Sequence, residues 1–177
     1  MADPQLPDPV KLLVAVLWAD ALARDEAVVR LTAIWGQIDC TGPDRPFDMT
    51  DYYAPEMGPV LHRRLVAFAE LVAPESIREA KLRCNSIETE LAEKGQRRVN
   101  LDVGYLDHNK LVLASAKNAG QKIHLGGGIY ADLIGRFKAG RYQPFDWTFP
   151  DFKDARYDPE LATIRQTYLE QLRRRKV

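Results

Sequence analysis

Three features of this 177-residue chain point to an α+β fold built on an antiparallel sheet. Val10 to Ala19 (VKLLVAVLWA) is short and almost continuously apolar, the pattern of a strand buried on both faces. Three stretches repeat apolar residues every three or four positions, as helices with one buried face do. The second half packs several strand-like runs between turn residues, which suits hairpins.

After the first strand, Arg24 to Trp35 carries Val28, Leu31 and Trp35 at helical spacing, with Gly36 as a stop signal. A second strand is expected near Gln37 to Phe47, interrupted by Gly42 and Pro43. Asp48 to Pro59 reads as a loop. Leu61 to Val72 alternates poorly; it reads as a strand, with a helix as the alternative. The clearest helix has Pro74 in its first turn, Gly95 past its end, and a stripe of Ile77, Ala80, Cys84, Ile87 and Leu91. Strands follow over Val99 to Val103 and Leu111 to Lys117, then over Lys122 to Leu125 and Ile129 to Phe137. Ala139-Gly140 marks a turn, and Arg141 to Phe145 reads as a returning strand. Asp158 as N-cap and Pro159 open a final helix striped by Leu161, Ile164, Tyr168 and Leu172.

The order β-α-β-β-α-β up to residue 103 suggests a ferredoxin-like sandwich with an antiparallel strand extension and a C-terminal helix. In such a fold Val99, Leu101 and Val103 face the helices. Asn100 and Asp102 face the other side, where a ligand or the extension must lie. The length suits one domain over residues 1–177, with residues 1–9 expected to be flexible and 158–177 forming the last helix.

Charge and composition remove several classes. The 25 basic and 25 acidic residues cancel, so no global charge drives binding to nucleic acid or membrane. Residues 1–60 carry a net of −6 and residues 61–177 a net of +6, which favours the later part as the anion-facing side. Cys40 and Cys84 form neither a disulfide framework nor a metal motif and suit a reducing compartment. The start, MADPQLPDP, lacks a positive n-region, and the longest apolar run, Leu12 to Trp18, is too short to cross a bilayer. A cytoplasmic protein is expected.

The stretch from Arg97 to Tyr130 is the richest in chemistry. Its three glycines, Gly126, Gly127 and Gly128, could bring backbone N–H groups to a phosphate, or simply form a tight hairpin. No Gly-Lys-Ser/Thr follows them, so they are not a Walker loop. Asp102, Asp107 and His108, joined by Glu56 or Asp51, offer donors for a divalent metal, but their spacing matches no ligand motif. Asp51, Tyr52, Tyr53 and Glu56 make an aromatic-acidic loop that could stack on a base or sugar, or pack as a lid. Lys117 could hold a phosphate or pair with Asp102. The run Arg173-Arg174-Arg175-Lys176 could touch RNA phosphates or serve as a favourable helix end. There is no Ser-His-Asp signature, and neither cysteine has a catalytic motif.

The blocks PFDMTDYYAPEMG, RRVNLDVGYLD, KLVLASAKN, GGGIYADL and WTFPDF resemble, in order, those of a prokaryotic family known as domain of unknown function 4416. The resemblance runs from about Pro9 to about Lys153. Ala116 stands where the family leads one to expect threonine, and Phe149 and Phe152 where tyrosines are expected. The resemblance implies kinship and brings no catalytic residue or cofactor with it.

The candidate ligand site is therefore Asp51, Tyr52, Tyr53, Glu56, Asn100, Asp102, Tyr105, Lys117, Gly126, Gly127, Gly128 and Tyr130. The first functional reading is recognition of a phosphorylated small molecule or nucleotide, with or without turnover. The alternative is a non-enzymatic RNA- or protein-binding module that uses the basic later half.

Overall fold

The computed structural model describes residues 2–175. Among them lie nine strands and five α-helices, in one large antiparallel sheet with helices on both faces. The elements are β1 (Val10–Trp18), α1 (Ala21–Trp35), β2 (Ile38–Thr41), β3 (Arg45–Pro46), α2 (Ala54–Met57), β4 (His62–Val72), α3 (Ile77–Glu90), β5 (Val99–Leu106), β6 (Lys110–Ser115), β7 (Ile123–Gly126), β8 (Ile129–Lys138), β9 (Arg141–Pro144), α4 (Pro150–Lys153) and α5 (Asp158–Arg175). The strand order is β2-β4-β1-β5-β6-β8-β7, with β3 added to β4 and β9 to β8.

The protein is thus α+β. Strand β1 is buried along all nine residues because both its faces are covered. Leu12, Val14, Val16 and Trp18 pack with Ala27 and Leu31 of α1 and Cys84 and Ile87 of α3. Leu13 and Ala15 pack instead with Leu161, Ile164 and Tyr168 of α5. The sheet extension does not fold back over this second face, as it could have done. It continues the same sheet, and α5 supplies the cover.

Local signals explain most boundaries. The Asp20 carboxylate accepts the N–H of Leu22 at 2.9 Å and caps α1, and the Gly36 N–H closes its other end on Thr32. The stretch expected from Leu61 to Val72 is a strand from His62 onward despite its poor alternation, because its middle is buried on both faces like β1. Helix α3 ends at Glu90, well before the expected stop at Gly95, which belongs to a separate turn closed between Glu93 and Gln96. Two one-turn helices, α2 and α4, lie in stretches with no helical periodicity. Among the described residues no helix is long and apolar enough to cross a membrane.

One irregularity makes the cleft. Strands β5 and β6 pair only from Gly104 to Leu106 against Leu111 to Leu113. Beyond that point β5 stays with β1 while β6 follows β8, and the two separate. Gly104 sits at the junction, pressed against Val112 and Leu113 of β6. A Cβ there would lie 2.3 Å from the carbonyl oxygen of Val112, so no side chain fits without moving a strand. Past the junction the peptide of Leu101 loses its strand partner, and α3 replaces it. The Leu101 N–H donates to Glu88 Oε1 at 2.7 Å, and Lys81 Nζ donates to the Leu101 carbonyl at 2.8 Å.

Candidate functional site

The gap between β5 and β6 opens into a cleft of about 710 Å³, within the range of roughly 300–1,000 Å³ usual for small-molecule sites. Alternation along β5 fills its floor. Val99, Leu101 and Val103 join the core under α1 and α3. Asn100 and Asp102 project from the opposite face into the cleft, opposite Leu17 and Ala15 of β1.

Asp102 is held from behind. Arg63 Nη2 donates to its Oδ2 at 2.5 Å, and Arg63 Nη1 donates to Asp151 Oδ2 at 2.7 Å. Tyr157 adds its hydroxyl to the same Asp151 oxygen at 3.1 Å, and the Phe47 ring lies 4.7 Å from the guanidinium carbon. Arg63 is 3% exposed. Beside it, Arg97 Nη1 donates to Asn100 Oδ1 at 2.5 Å, and Arg97 also pairs with Glu56 and Glu88. Burial raises the Glu88 carboxyl above its usual range, against the opposing pull of Lys81.

The aromatic-acidic loop divides as an irregular segment should. Tyr53 turns inward onto Phe47, Leu17, Met57 and Leu61, and burial, aided by nearby Asp102, raises its phenol. Tyr52 stays 59% exposed and accepts a hydrogen bond from Lys117 Nζ on its hydroxyl. That bond and the lysine's charge lower its phenol below the ordinary value. Glu56 sits in the one-turn helix α2 and reaches Arg97. On the far wall Lys122 pairs with the buried Asp132 at 3.4 Å and donates to Ser115 at 2.9 Å. Every other cation lining the cleft has a carboxylate partner. Lys117 alone, among the described residues, has none.

Six of the expected residues therefore share one cleft: Tyr52, Tyr53, Glu56, Asn100, Asp102 and Lys117. The others lie elsewhere. Asp51 is exposed, and its carbonyl receives the N–H of Ala54. Tyr105 lines a smaller groove with Arg78 and Leu125, on the α3 side of the sheet. Gly126, Gly127 and Gly128 all take positive φ and form the β7–β8 hairpin, where Arg78 Nη1 would lie 3.3 Å from a Cβ at Gly127. Tyr130 packs on His124, with ring centroids 5.0 Å apart. The tight-hairpin alternative thus describes the glycines' geometry.

Asp102, Asp107 and His108 do not come together. Asp107 caps the β5–β6 turn by accepting the N–H groups of Asn109 and Lys110, and the His108 carbonyl accepts from Arg165. Among the described residues no group of three or more His, Cys, Asp or Glu could hold a metal ion. Burial raises both thiols, Cys84 the more, the direction opposite to that of an activated thiolate. Arg173, Arg174 and Arg175 are exposed at the end of α5, and Lys176 lies outside the described residues. Ala116 and Phe149 line the cleft, whereas Phe152 is buried against Tyr157.

Sequence reasoning missed Arg63, Lys81, Glu88, Arg97, Asp132 and Asp151. A signal existed for two of them. Arg63 lies in phase with Leu65 and Ala67 on one face of β4, and Lys81 lies on the helix face of Ile77 and Cys84. A charged residue in phase with an apolar stripe is either a buried partner of something or a break in the stripe.

Fold and cleft together define an α+β protein with a polar, aromatic-rimmed cavity where its sheet divides. The chain belongs to the family described as Domain of unknown function (DUF4416), whose profile matches residues 8–168. No curated protein and no solved structure matches it.

Proposed function

We propose that this protein recognises a phosphorylated small molecule, a nucleotide or a sugar phosphate, in the cleft between β5 and β6. The observation that carries the reading is Lys117. It is the one lining cation without a carboxylate partner among the described residues, and it stands at the exposed end of a cavity of suitable size. A lysine in that state exchanges a tyrosine hydroxyl for a phosphate oxygen at small cost. Tyr52 and Phe149, both exposed on the cleft wall, offer ring faces for a base or a sugar. The remaining charges are internally matched, which suits a ligand of low net charge and argues against a polyphosphate.

The test is a thermal-shift screen of nucleoside monophosphates and sugar phosphates, since a ligand that binds only the native state raises its apparent stability. Lys117→Ala should abolish the ligand-induced shift while changing apo stability by no more than about 0.5 kcal/mol. An equal loss of apo stability would make Lys117 a structural residue and end this reading.

The order β2-β4-β1-β5, all antiparallel, with α1 and α3 on one face, supports a ferredoxin-like first half. One continuous sheet supports a single domain. A cytoplasmic location belongs to the same proposal, and the unpaired Cys40 and Cys84 support it.

A further inference from the structure

We infer that the buried end of the cleft, at Asn100 and Asp102, receives an uncharged part of the ligand that presents a hydrogen-bond acceptor beside a donor, leaving the anionic group to face Lys117. This rests on the reading of the cleft just given and assigns its polarity.

The orientation of the Asn100 amide is decided by its neighbour. Asn100 is 4% exposed. Arg97 Nη1 lies 2.5 Å from one end of its carboxamide. A guanidinium only donates, so that end must be the oxygen. The other end, Nδ2, is then a donor, and it has no partner among the described residues. A buried donor left without an acceptor is costly, and native proteins retain few of them without a reason. Because Asn100 lines the cleft, an acceptor carried by a ligand can complete it.

Asp102 stands two residues along the same face, about 6.7 Å away at Cα by strand geometry. Its Oδ2 is taken by Arg63, and its Oδ1 has no hydrogen bond among the described residues. A free donor and a free acceptor are thus offered side by side. The same end excludes an anion. The carboxylates of Asp102, Glu56 and Glu88 line it, and the cations at that end are already bound: Arg63 to Asp102 and Asp151, Arg97 to Glu56 and Glu88, and Lys81 to Glu88. An anionic group placed here would meet like charge, whereas at Lys117 it meets an unpaired cation. The matching chemistry is an acceptor adjacent to a donor, which either the edge of a nucleobase or neighbouring sugar hydroxyls can supply.

The experiment titrates uridine 5′-monophosphate, uridine, ribose 5-phosphate and inorganic phosphate into wild type, Asn100→Asp and Lys117→Ala. It reads calorimetric affinity and, in the wild type, the side-chain amide NMR signal of Asn100. Asn100→Asp keeps the oxygen that serves Arg97 and turns the orphan donor into an acceptor. We expect it to weaken uridine monophosphate or ribose 5-phosphate about tenfold or more, the worth of one well-made hydrogen bond, and to leave inorganic phosphate within about twofold. The wild-type Asn100 amide signal should shift on saturation, which needs no variant to fold. Uridine monophosphate responding without ribose 5-phosphate identifies a base, and both responding identifies the sugar. Unchanged affinity in Asn100→Asp, or an amide signal that stays still at saturation, overturns the inference while the phosphate reading survives. If uridine binds as tightly as its monophosphate and Asn100→Asp weakens both, the phosphate reading fails and takes the placement of an anion at Lys117 with it, while the assignment of an acceptor to the Asn100 amide stands. No saturable binding by any of the organic probes overturns both.

Discussion

The two ends of the cleft use the same chemistry, a cation beside an oxygen, for opposite purposes. At the buried end Arg63, 3% exposed, is clamped between Asp102 and Asp151, and Asp151 is itself 1% exposed. At the open end Lys117 meets the hydroxyl of Tyr52, a residue 59% exposed. Burial keeps water from Arg63 and Asp151 and leaves Asp102 open only toward the cleft, so the group behaves as a fixed wall that orients Asp102. Water or a ligand can replace either partner in the second, so it is free to exchange. Burial decides which polar cluster is scaffold and which is contact.

The largest expected effect breaks the wall. Arg63→Met leaves Asp151 buried without its cation, and removing one partner of a buried pair costs about 3–5 kcal/mol. Chemical denaturation should show that loss. A change below about 1 kcal/mol would mean the wall is not held by charge.

The two neighbouring tyrosines of one loop should differ in the same way. Tyr53 is half-buried against Phe47 and Met57, so Tyr53→Ala should cost about 2 kcal/mol, less than the roughly 3–5 kcal/mol of a fully buried ring. Tyr52→Ala should stay within about 0.5 kcal/mol. Equal losses at the two positions would erase the distinction between wall and mouth.

A subtler test lies in pH. The Glu88 carboxyl is raised by burial above its ordinary 4.5. Its protonated form is therefore favoured by folding. The stability it contributes is fully present below pH 4.5 and is lost as pH rises through the higher folded-state value. Glu88→Gln keeps an oxygen for the Leu101 N–H and does not titrate. Melting temperatures followed upward from pH 4.5 should fall less steeply in the variant than in wild type, and parallel curves would assign the slope to other groups.

Much of this protein can be read locally. The alternation of Val99 to Val103 places Asn100 and Asp102 on the cleft face, because neighbouring residues of a strand point to opposite sides. The apolar run of β1 announces two covered faces, and the crowded turn residues after Asp48 announce an irregular loop that divides its two tyrosines. Pairing between distant segments is another matter. Arg63 and Asp102 are 39 residues apart, and Arg63 and Asp151 are 88 apart. No periodicity within either segment encodes their meeting. Tyr105 shares a stretch of sequence with the cleft residues yet lines the smaller groove on the α3 side, and Gly126 and Gly127 sit beside Arg78 of that groove.

Sequence alone determined the α+β class, the faces of β5 and the loop that carries Tyr52 and Glu56, since these depend on spacing over a few residues. Only the tertiary structure decided that β5 and β6 part at Gly104. That separation depends on where β6 finds β8, and on Lys81 and Glu88 standing in for the missing strand at Leu101. A cleft made by two strands diverging is a property of the whole sheet's pairing, and no single strand carries it.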